Sequence, residues 1–272
     1  MLNKRIGMIG AGQMALALAA GFVRKGLVPP EYILASDPLE NARQRFQEVT
    51  GARVTDNNLE VVRTKDIIIL AIKPQVISKV FEELQGRISP EKLVISIVAG
   101  VTLETLQRAL GENARIIRAM PNTPALVGSG ITAYAVGKNI QPADVQTVEA
   151  ILSAVGVTVQ VEERLMNAVT AVSGSGPAFV YLFIEALVDA GVRHGLPREL
   201  ARQLVVHTVR GASEMVIQSG EHPALLRDRV TSPGGTTIAG LAALETNGFR
   251  GAVFAAIEAA VQRAEELSRG SR

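Results

Sequence analysis

Two glycine-rich stretches, more than two hundred residues apart, carry residue types able to bind anions through the backbone. The first is Gly10-Ala-Gly-Gln-Met-Ala15, which follows a short apolar run and opens the helical pattern Met14–Phe22. Strand, glycine turn and helix in this order are the context in which Gly-x-Gly-x-x-Gly/Ala takes a dinucleotide. Gly10 permits the tight turn. Gly12 lets a pyrophosphate approach the backbone and meet N–H groups at the helix N-terminus, and Ala15 lets helix pack closely on strand. The second stretch is Val230-Thr-Ser-Pro-Gly-Gly-Thr-Thr237, directly before the apolar Ile238–Glu245. Ser232 reads as the N-cap of that helix and Pro233 as its first residue. Gly234 and Gly235 expose N–H groups at a positive helix end, and Thr236 and Thr237 add hydroxyls. A small carboxylate suits such a site, with dipole help of roughly 0.3–1 kcal/mol before any direct hydrogen bond. The plainer alternatives are a glycine turn in a nucleotide-free α/β domain and a capped helix start with no ligand.

Other loops at strand ends share the small, proline or amide character of a ligand-binding edge: Ser36-Asp37, Ala71-Ile-Lys-Pro74, Val98-Ala-Gly100 and Ala119-Met-Pro-Asn-Thr-Pro124. Asp37, after the second strand, is placed to bind ribose hydroxyls and repel a 2′-phosphate, which favours NAD. Ser36 and Arg43 pull the other way. Val172-Ser-Gly-Ser-Gly-Pro177 reads as close helix packing. The histidines His194, His207 and His222 lack metal-ligand spacing, and cysteine is absent, so no metal site and no cysteine nucleophile is expected. No lysine follows Lys138. A reaction needing a lysine acid on the C-terminal half is excluded. A hydroxyl must serve, and hydroxyls are weak acids, so a substrate such as an already protonated imine is indicated.

The elements that must position these loops alternate. Strands are expected at the run before Gly10 and at Tyr32–Ser36, Asp66–Ile72, Leu93–Val98, Arg115–Arg118, Ile131–Val136 and Val157–Val161. Helices are expected at Leu39–Val49, Gln75–Leu84, Leu103–Leu110 and Ala143–Ala154. That order predicts an α/β fold, a Rossmann-type doubly wound sheet spanning residues 1–161. Residues 162–272 show helices only, at Arg164–Val172, Pro177–His194, Pro197–Gln218, Pro223–Arg229, Pro233–Glu245 and Phe249–Ser268. This predicts an all-helical second domain. Ala178–Val192 is apolar on most sides, with Glu185 and Asp189 as its polar seam, and needs cover that a small helical domain lacks. Dimerisation is the expected solution. Across the 272 residues, 47% are hydrophobic but only 4% aromatic, so the core is aliphatic. With 28 basic and 26 acidic residues and no basic-aromatic run, nucleic acid is not an expected partner. Gly7, Gly10, Gly12 and Gln13 interrupt the N-terminal apolar run and argue against a secretory signal. No uninterrupted apolar run reaches membrane-spanning length, so no membrane partner is expected and a cytoplasmic location is.

The motifs Ile9-Gly-Ala-Gly-Gln-Met14, Ala71-Ile-Lys-Pro-Gln75, Ala99-Gly-Val-Thr102, Met120-Pro-Asn-Thr-Pro124, Ser173-Gly-Ser-Gly-Pro-Ala178 and Ser232-Pro-Gly-Gly-Thr-Thr237 together resemble the pyrroline-5-carboxylate reductase family, from residue 4 to about 266. The resemblance implies a Rossmann domain followed by a helical, substrate-binding dimerisation domain, in dimers that often assemble further. It implies NAD(P)H-dependent reduction of 1-pyrroline-5-carboxylate to L-proline. NADPH is the usual coenzyme and NADH the alternative. Carried over by position, Ile9, Gly10, Ala11, Gly12, Gln13 and Met14 hold the pyrophosphate, with Ser36 and Asn58 at the adenosine end. Ala71, Ile72, Lys73 and Pro74, with Ile97, Val98 and Ala99, border the ribose and nicotinamide. Ser232, Gly234, Gly235, Thr236 and Thr237 take the substrate carboxylate, and Thr237 or water protonates the ring nitrogen. Two rivals stay open: a related hydroxyacid dehydrogenase, which the missing C-terminal lysine opposes, and a catalytically silent dinucleotide sensor or scaffold.

Overall fold

The computed structural model describes Leu2–Gly270. Strands β1 (Ile6–Ile9), β2 (Ile33–Ser36), β3 (Arg53–Thr55), β4 (Ile67–Leu70), β5 (Leu93–Ser96), β6 (Arg115–Met120), β7 (Gly130–Val136) and β8 (Gly156–Gln160) form one sheet in the order 3-2-1-4-5-6-7-8. The first six are parallel. β7 runs antiparallel to β6, and β8 pairs parallel with β7. Helices α1 (Gln13–Arg24), α2 (Glu40–Thr50), α3 (Asn58–Thr64), α4 (Ile77–Leu84), α5 (Leu103–Leu110) and α6 (Pro142–Leu152) make the crossovers.

Alternation along the buried strands feeds two cores. Ile6 and Met8 of β1 and Ile67 and Ile69 of β4 join Phe22 of α1, Phe46 of α2 and Ile151 of α6. Ile9, Ile68 and Leu70 join Val61 of α3, Val80 of α4 and Leu106 of α5 on the other face. Each fully buried aliphatic side chain contributes roughly 1.5–3 kcal/mol. The continuous Ile67–Leu70 run is what a strand covered on both faces requires. The short pair β3 and α3 was not expected from the sequence; Arg53-Val-Thr55 is a half-exposed edge strand with no apolar run to announce it.

The remaining helices are α7 (Met166–Val169), α8 (Gly176–Arg193), α9 (Arg198–Ser219), α10 (Pro223–Arg229), α11 (Thr236–Thr246) and α12 (Phe249–Gly270). The sheet ends at Gln160, but the compact units divide elsewhere, one holding residues 1–175 and 259–272 and the other Gly176–Glu258. The segment after β8 stays with the sheet for a physical reason. Met166 and Ala171 are buried, and Glu163 Oε1 accepts both the Leu103 N–H (2.6 Å) and Arg118 NH1 (3.1 Å). In the second unit, α8 and α9 pack side by side, and α8 buries only Val188. The expectation of no membrane-length apolar run needs correction. The Ser173-Gly-Ser-Gly stretch does not stop the helix but passes through a π-turn at Thr170–Gly174. Helical structure therefore continues from Glu163 to Arg193, long and apolar enough to cross a bilayer by length and composition.

β1 is tied to β4 at its start as well. Asp66 accepts the Arg5 backbone N–H (2.8 Å), Nε (3.2 Å) and NH2 (3.0 Å). The Arg5 hydrogen bond holds the Asp66 carboxyl below its ordinary value. A carboxylate with a depressed folded-state pKa stabilises above its unfolded pKa and loses that contribution as pH falls through the folded value. Asp66→Asn is therefore expected to lower the urea midpoint at pH 7. Its difference from the unsubstituted chain should shrink as the pH is lowered through the depressed carboxyl value, as followed by denaturation across an acid series.

Candidate functional site

The strand order reverses between β1 and β4, and in such sheets ligands sit in the crevice beyond the carboxyl ends at that point. The backbone there is fixed by three contacts. Gly10 N–H donates to Ser36 O (2.7 Å), Ala71 N–H to Ile9 O (2.8 Å), and Ile97 N–H to Leu70 O (3.0 Å). Gly10 has φ +99°, and a Cβ on it would lie 2.4 Å from Ala71 O. The turn requires glycine for its conformation and for this approach. Gly12 differs: a Cβ there would meet nothing within 4 Å. Nothing in the chain itself requires glycine at that position. The open space over Gly12, at the N-cap of α1, leaves the first-turn amides of Gln13 and Met14 facing a cradle that fits a pyrophosphate.

At one end of the crevice lie Ser36, Asp37 and Asn58. Ser36 is buried, its hydroxyl 2.7 Å from Asn58 Oδ1, and Asn58 Nδ2 donates to Glu83 Oε2 at 2.7 Å. The sequence pointed Asp37 at ribose hydroxyls. In the structure each of its carboxylate oxygens accepts one backbone N–H, from Ala11 and from Leu39, both at 2.9 Å, with acceptor capacity left on both. One N–H of the glycine loop is thus occupied by Asp37 rather than left for a ligand. Arg43 NH1 donates to Asp37 O (2.7 Å) and Pro38 O (3.1 Å), anchoring a cation on the same turn.

At the other end, Met14, Ala71, Ile72 and Ile97 line a cleft of about 260 Å³ together with Met120, Pro121, Asn122, Thr123 and Gly174. The last five were absent from the assigned site, although both parent motifs stood out in the sequence. A Cβ on Gly174 would come 2.8 Å from Met120 Cε, whereas one on Gly176 would meet nothing within 4 Å, so close packing is seen at Gly174 alone and against the end of β6 rather than a helix. Asn122 Oδ1 accepts the Ile131 N–H at 3.0 Å and so braces the loop. Ile9 and Val98 are corrected in one respect: their side chains are buried in the core, and only their backbone can border a ligand. Ala99 is half-buried, and Lys73 and Pro74 lead into a short 3₁₀ turn at Pro74–Val76.

The second glycine stretch also folds differently from expectation. Ser232 is not the N-cap and Pro233 not the first helical residue. Gly235 N–H donates to Ser232 O (3.1 Å), Gly234 has φ +69°, and Gly235 is the N-cap of α11. Proline second and a positive-φ glycine third are the type II turn arrangement. The turn consumes the residues read as cap and first turn, moving the helix start to Thr236. Thr236 and Thr237 therefore occupy its first turn, and among the described residues neither hydroxyl has a hydrogen-bond partner. His222 caps α10, its Nδ1 accepting the Ala224 N–H at 3.2 Å.

Residues 163–267 match the family described as pyrroline-5-carboxylate reductase dimerisation. Residues 5–100 match the family described as NADP oxidoreductase coenzyme F420-dependent. The chain is 47% identical over 268 residues to a pyrroline-5-carboxylate reductase of Synechocystis, covering 98% of this chain and all of that one. It is also 47% identical to that of Methanosarcina acetivorans, at 99% and 100% coverage. Among solved structures, a Plasmodium falciparum pyrroline carboxylate reductase with NADP bound superposes with a TM-score of 0.91 and 38% identity, covering 98% of this chain and 99% of that one.

The two loop glycines are separable by experiment. Gly12→Val should leave the thermal midpoint nearly unchanged and abolish binding of a reduced nicotinamide dinucleotide, read by ligand fluorescence. Gly10→Ala should instead cost about 2–4 kcal/mol of stability, from a strained conformation and a backbone clash. Retained affinity in Gly12→Val would displace the pyrophosphate from this loop.

Proposed function

The chain belongs to the pyrroline-5-carboxylate reductase family, and on that premise we propose that it reduces 1-pyrroline-5-carboxylate to L-proline with its glycine loop and its Ser232–Thr237 turn dividing the binding. NADPH is the coenzyme, with NADH the alternative, and the reduced nicotinamide supplies the hydride when bound. Residues 1–161 serve the dinucleotide; residues 162–272 serve substrate and self-association. Ile9–Met14 receive the pyrophosphate, Ser36 and Asn58 the adenosine end, and Ala71–Pro74 with Ile97–Ala99 the ribose and nicotinamide.

One observation carries the substrate assignment: the type II turn that delivers Gly235 as the N-cap of α11, with two unpaired threonine hydroxyls behind it. Backbone N–H groups at that end hold a carboxylate without a cationic side chain. The Thr237 hydroxyl, half-exposed, stands free to hydrogen-bond the imine nitrogen. Hydride delivered to an imine that arrives protonated gives the amine directly; for one that arrives neutral, Thr237 or a water supplies the proton to that nitrogen. Neither is a strong acid, so rate acceleration rests mainly on holding the imine in line.

The exposed apolar helices serve self-association. Phe179, Leu182, Phe183 and Leu187 of α8 face Phe249 and Val253 of α12 around an apolar groove of about 500 Å³. Leu182 remains 66% exposed and Tyr181 61%. A bilayer and a second copy could each cover such a surface. Glu185 and Asp189, the latter paired with Arg198 at 2.8 Å, make lipid a poor cover. A homodimer is the minimal assembly, open to larger closed oligomers, and a cytosolic location completes the proposal.

Two measurements test this reading. Loss of reduced-nicotinamide absorbance with 1-pyrroline-5-carboxylate should be rapid, and Thr237→Ala should lower kcat/KM about ten- to a hundredfold, as for one hydrogen bond to a charged group. Unchanged kinetics would remove Thr237 from the reaction. Leu182→Glu, at a position costing the isolated chain little, should shift sedimentation from oligomer to monomer at micromolar concentration. An unshifted profile would move the interface off α8.

A further inference from the structure

We propose that Glu83, outside every coenzyme-binding loop, determines how far this site favours the 2′-phosphate of NADPH over the free 2′-hydroxyl of NADH. The inference rests on the adenosine end lying at Ser36 and Asn58. Ser36 is buried, so Asn58, half-exposed above it, is the surface that a ribose meets. Glu83 lies on α4, and its Oε2 accepts Asn58 Nδ2 at 2.7 Å. An ionised carboxylate only accepts, so it can face only the NH2 side of the amide. That orientation turns Oδ1 toward Ser36, 2.7 Å from its hydroxyl, and the hydroxyl proton is spent there. Met8 O, at 3.3 Å, is its longer alternative.

The consequence is a subsite polarised toward a hydrogen-bond donor. A ribose 2′-hydroxyl can donate to the remaining lone pairs of Asn58 Oδ1 or to Glu83 itself. A 2′-phosphate needs donors, and the donor on offer is the second N–H of Asn58. A phosphate oxygen taking it would lie about 5 Å from the Glu83 oxygen, from two hydrogen bonds diverging at one nitrogen. Like charges at that distance repel. Arg43, anchored on Asp37 O and Pro38 O, supplies the opposing attraction. Asp37 accepts one backbone N–H on each oxygen and keeps further acceptor capacity and its charge; that contribution is the same with Glu or Gln at position 83, so the substitution isolates Glu83.

Glu83→Gln keeps the shape, can still accept from Asn58, and removes the charge. Binding of each reduced coenzyme to the full chain, titrated by fluorescence, should show NADPH affinity rising about five- to tenfold with NADH within about twofold, and added salt should shrink the difference. In turnover the gain should fall on KM for NADPH and leave kcat unchanged. A purely structural role would move both coenzymes together, and that result, or no change in either, overturns the proposal. Asn58→Ala separates the two ways of failing. If it weakens both coenzymes while Glu83→Gln leaves their ratio alone, Glu83 is removed and the adenosine placement stands. If it weakens neither, the placement and the proposal fall together.

Discussion

Every functional position in the first unit is referenced to one close approach, that of the Gly10 backbone to Ala71. With 2.4 Å between Ala71 O and the place a Cβ would occupy, no side chain fits. Because none is present, β1 can turn off the sheet directly above the end of β4. α1 then begins at the crevice rather than beside it. The Gly10 N–H bond to Ser36 O fixes the end of β2 in the same frame, and the Ala71 N–H bond to Ile9 O fixes β4. Ser36 at one end and the Met14–Ala71 cleft at the other are therefore set by a single backbone turn. The helix dipole and open amides of α1 become useful only because this turn aims them.

Around that frame the polar groups are few and individually committed. Asp37 ties the backbone of the glycine loop to that of its own turn through its carboxylate, so its charge shapes the loop as well as the crevice edge. Arg43 spends NH1 on carbonyl oxygens. Most ion pairs elsewhere, such as Arg108–Glu104 and Arg202–Glu199, are exposed and worth little. Discrimination between ligands differing by one phosphate then falls on short chains of side-chain bonds such as Ser36–Asn58–Glu83, where a distant charge decides which way an amide points.

Where the sequence was legible, the signal was periodic or stereochemical. Ile67–Leu70 announced a strand buried on both faces, and Gly10-x-Gly12 announced its turn, because apolar runs and glycine patterns are local. β3 and α3 were not legible. Arg53-Val-Thr55 is polar and short, and pairing with β2 makes it a strand only once the sheet exists. Ser232-Pro233 was misread because a serine-proline pair suits two motifs equally, an N-cap with its first residue and the start of a type II turn. The positive φ of Gly234 decides between them. The division after Val161 followed the end of the last expected strand, whereas packing continues through Met166 and Ala171. Glu83 gave no signal at all. Its partner is 25 residues away on another helix, and only folding brings the two together.

The missing acid and the glycine turn before α11 are two sides of one solution. A lysine near the imine would deliver a proton readily, but its charge would also oppose binding of a substrate that arrives protonated at nitrogen. No lysine follows Lys138, and on the proposed assignment the C-terminal half would take an anion on uncharged N–H groups and offer the nitrogen a hydroxyl. Such donors cost little desolvation and do not repel an iminium. Chemistry of this kind depends on orientation. Orientation in turn demands that the Ser232–Gly235 turn be well defined: its proline restricts the unfolded chain as well as the folded one, and Gly234 permits the positive φ that the turn needs.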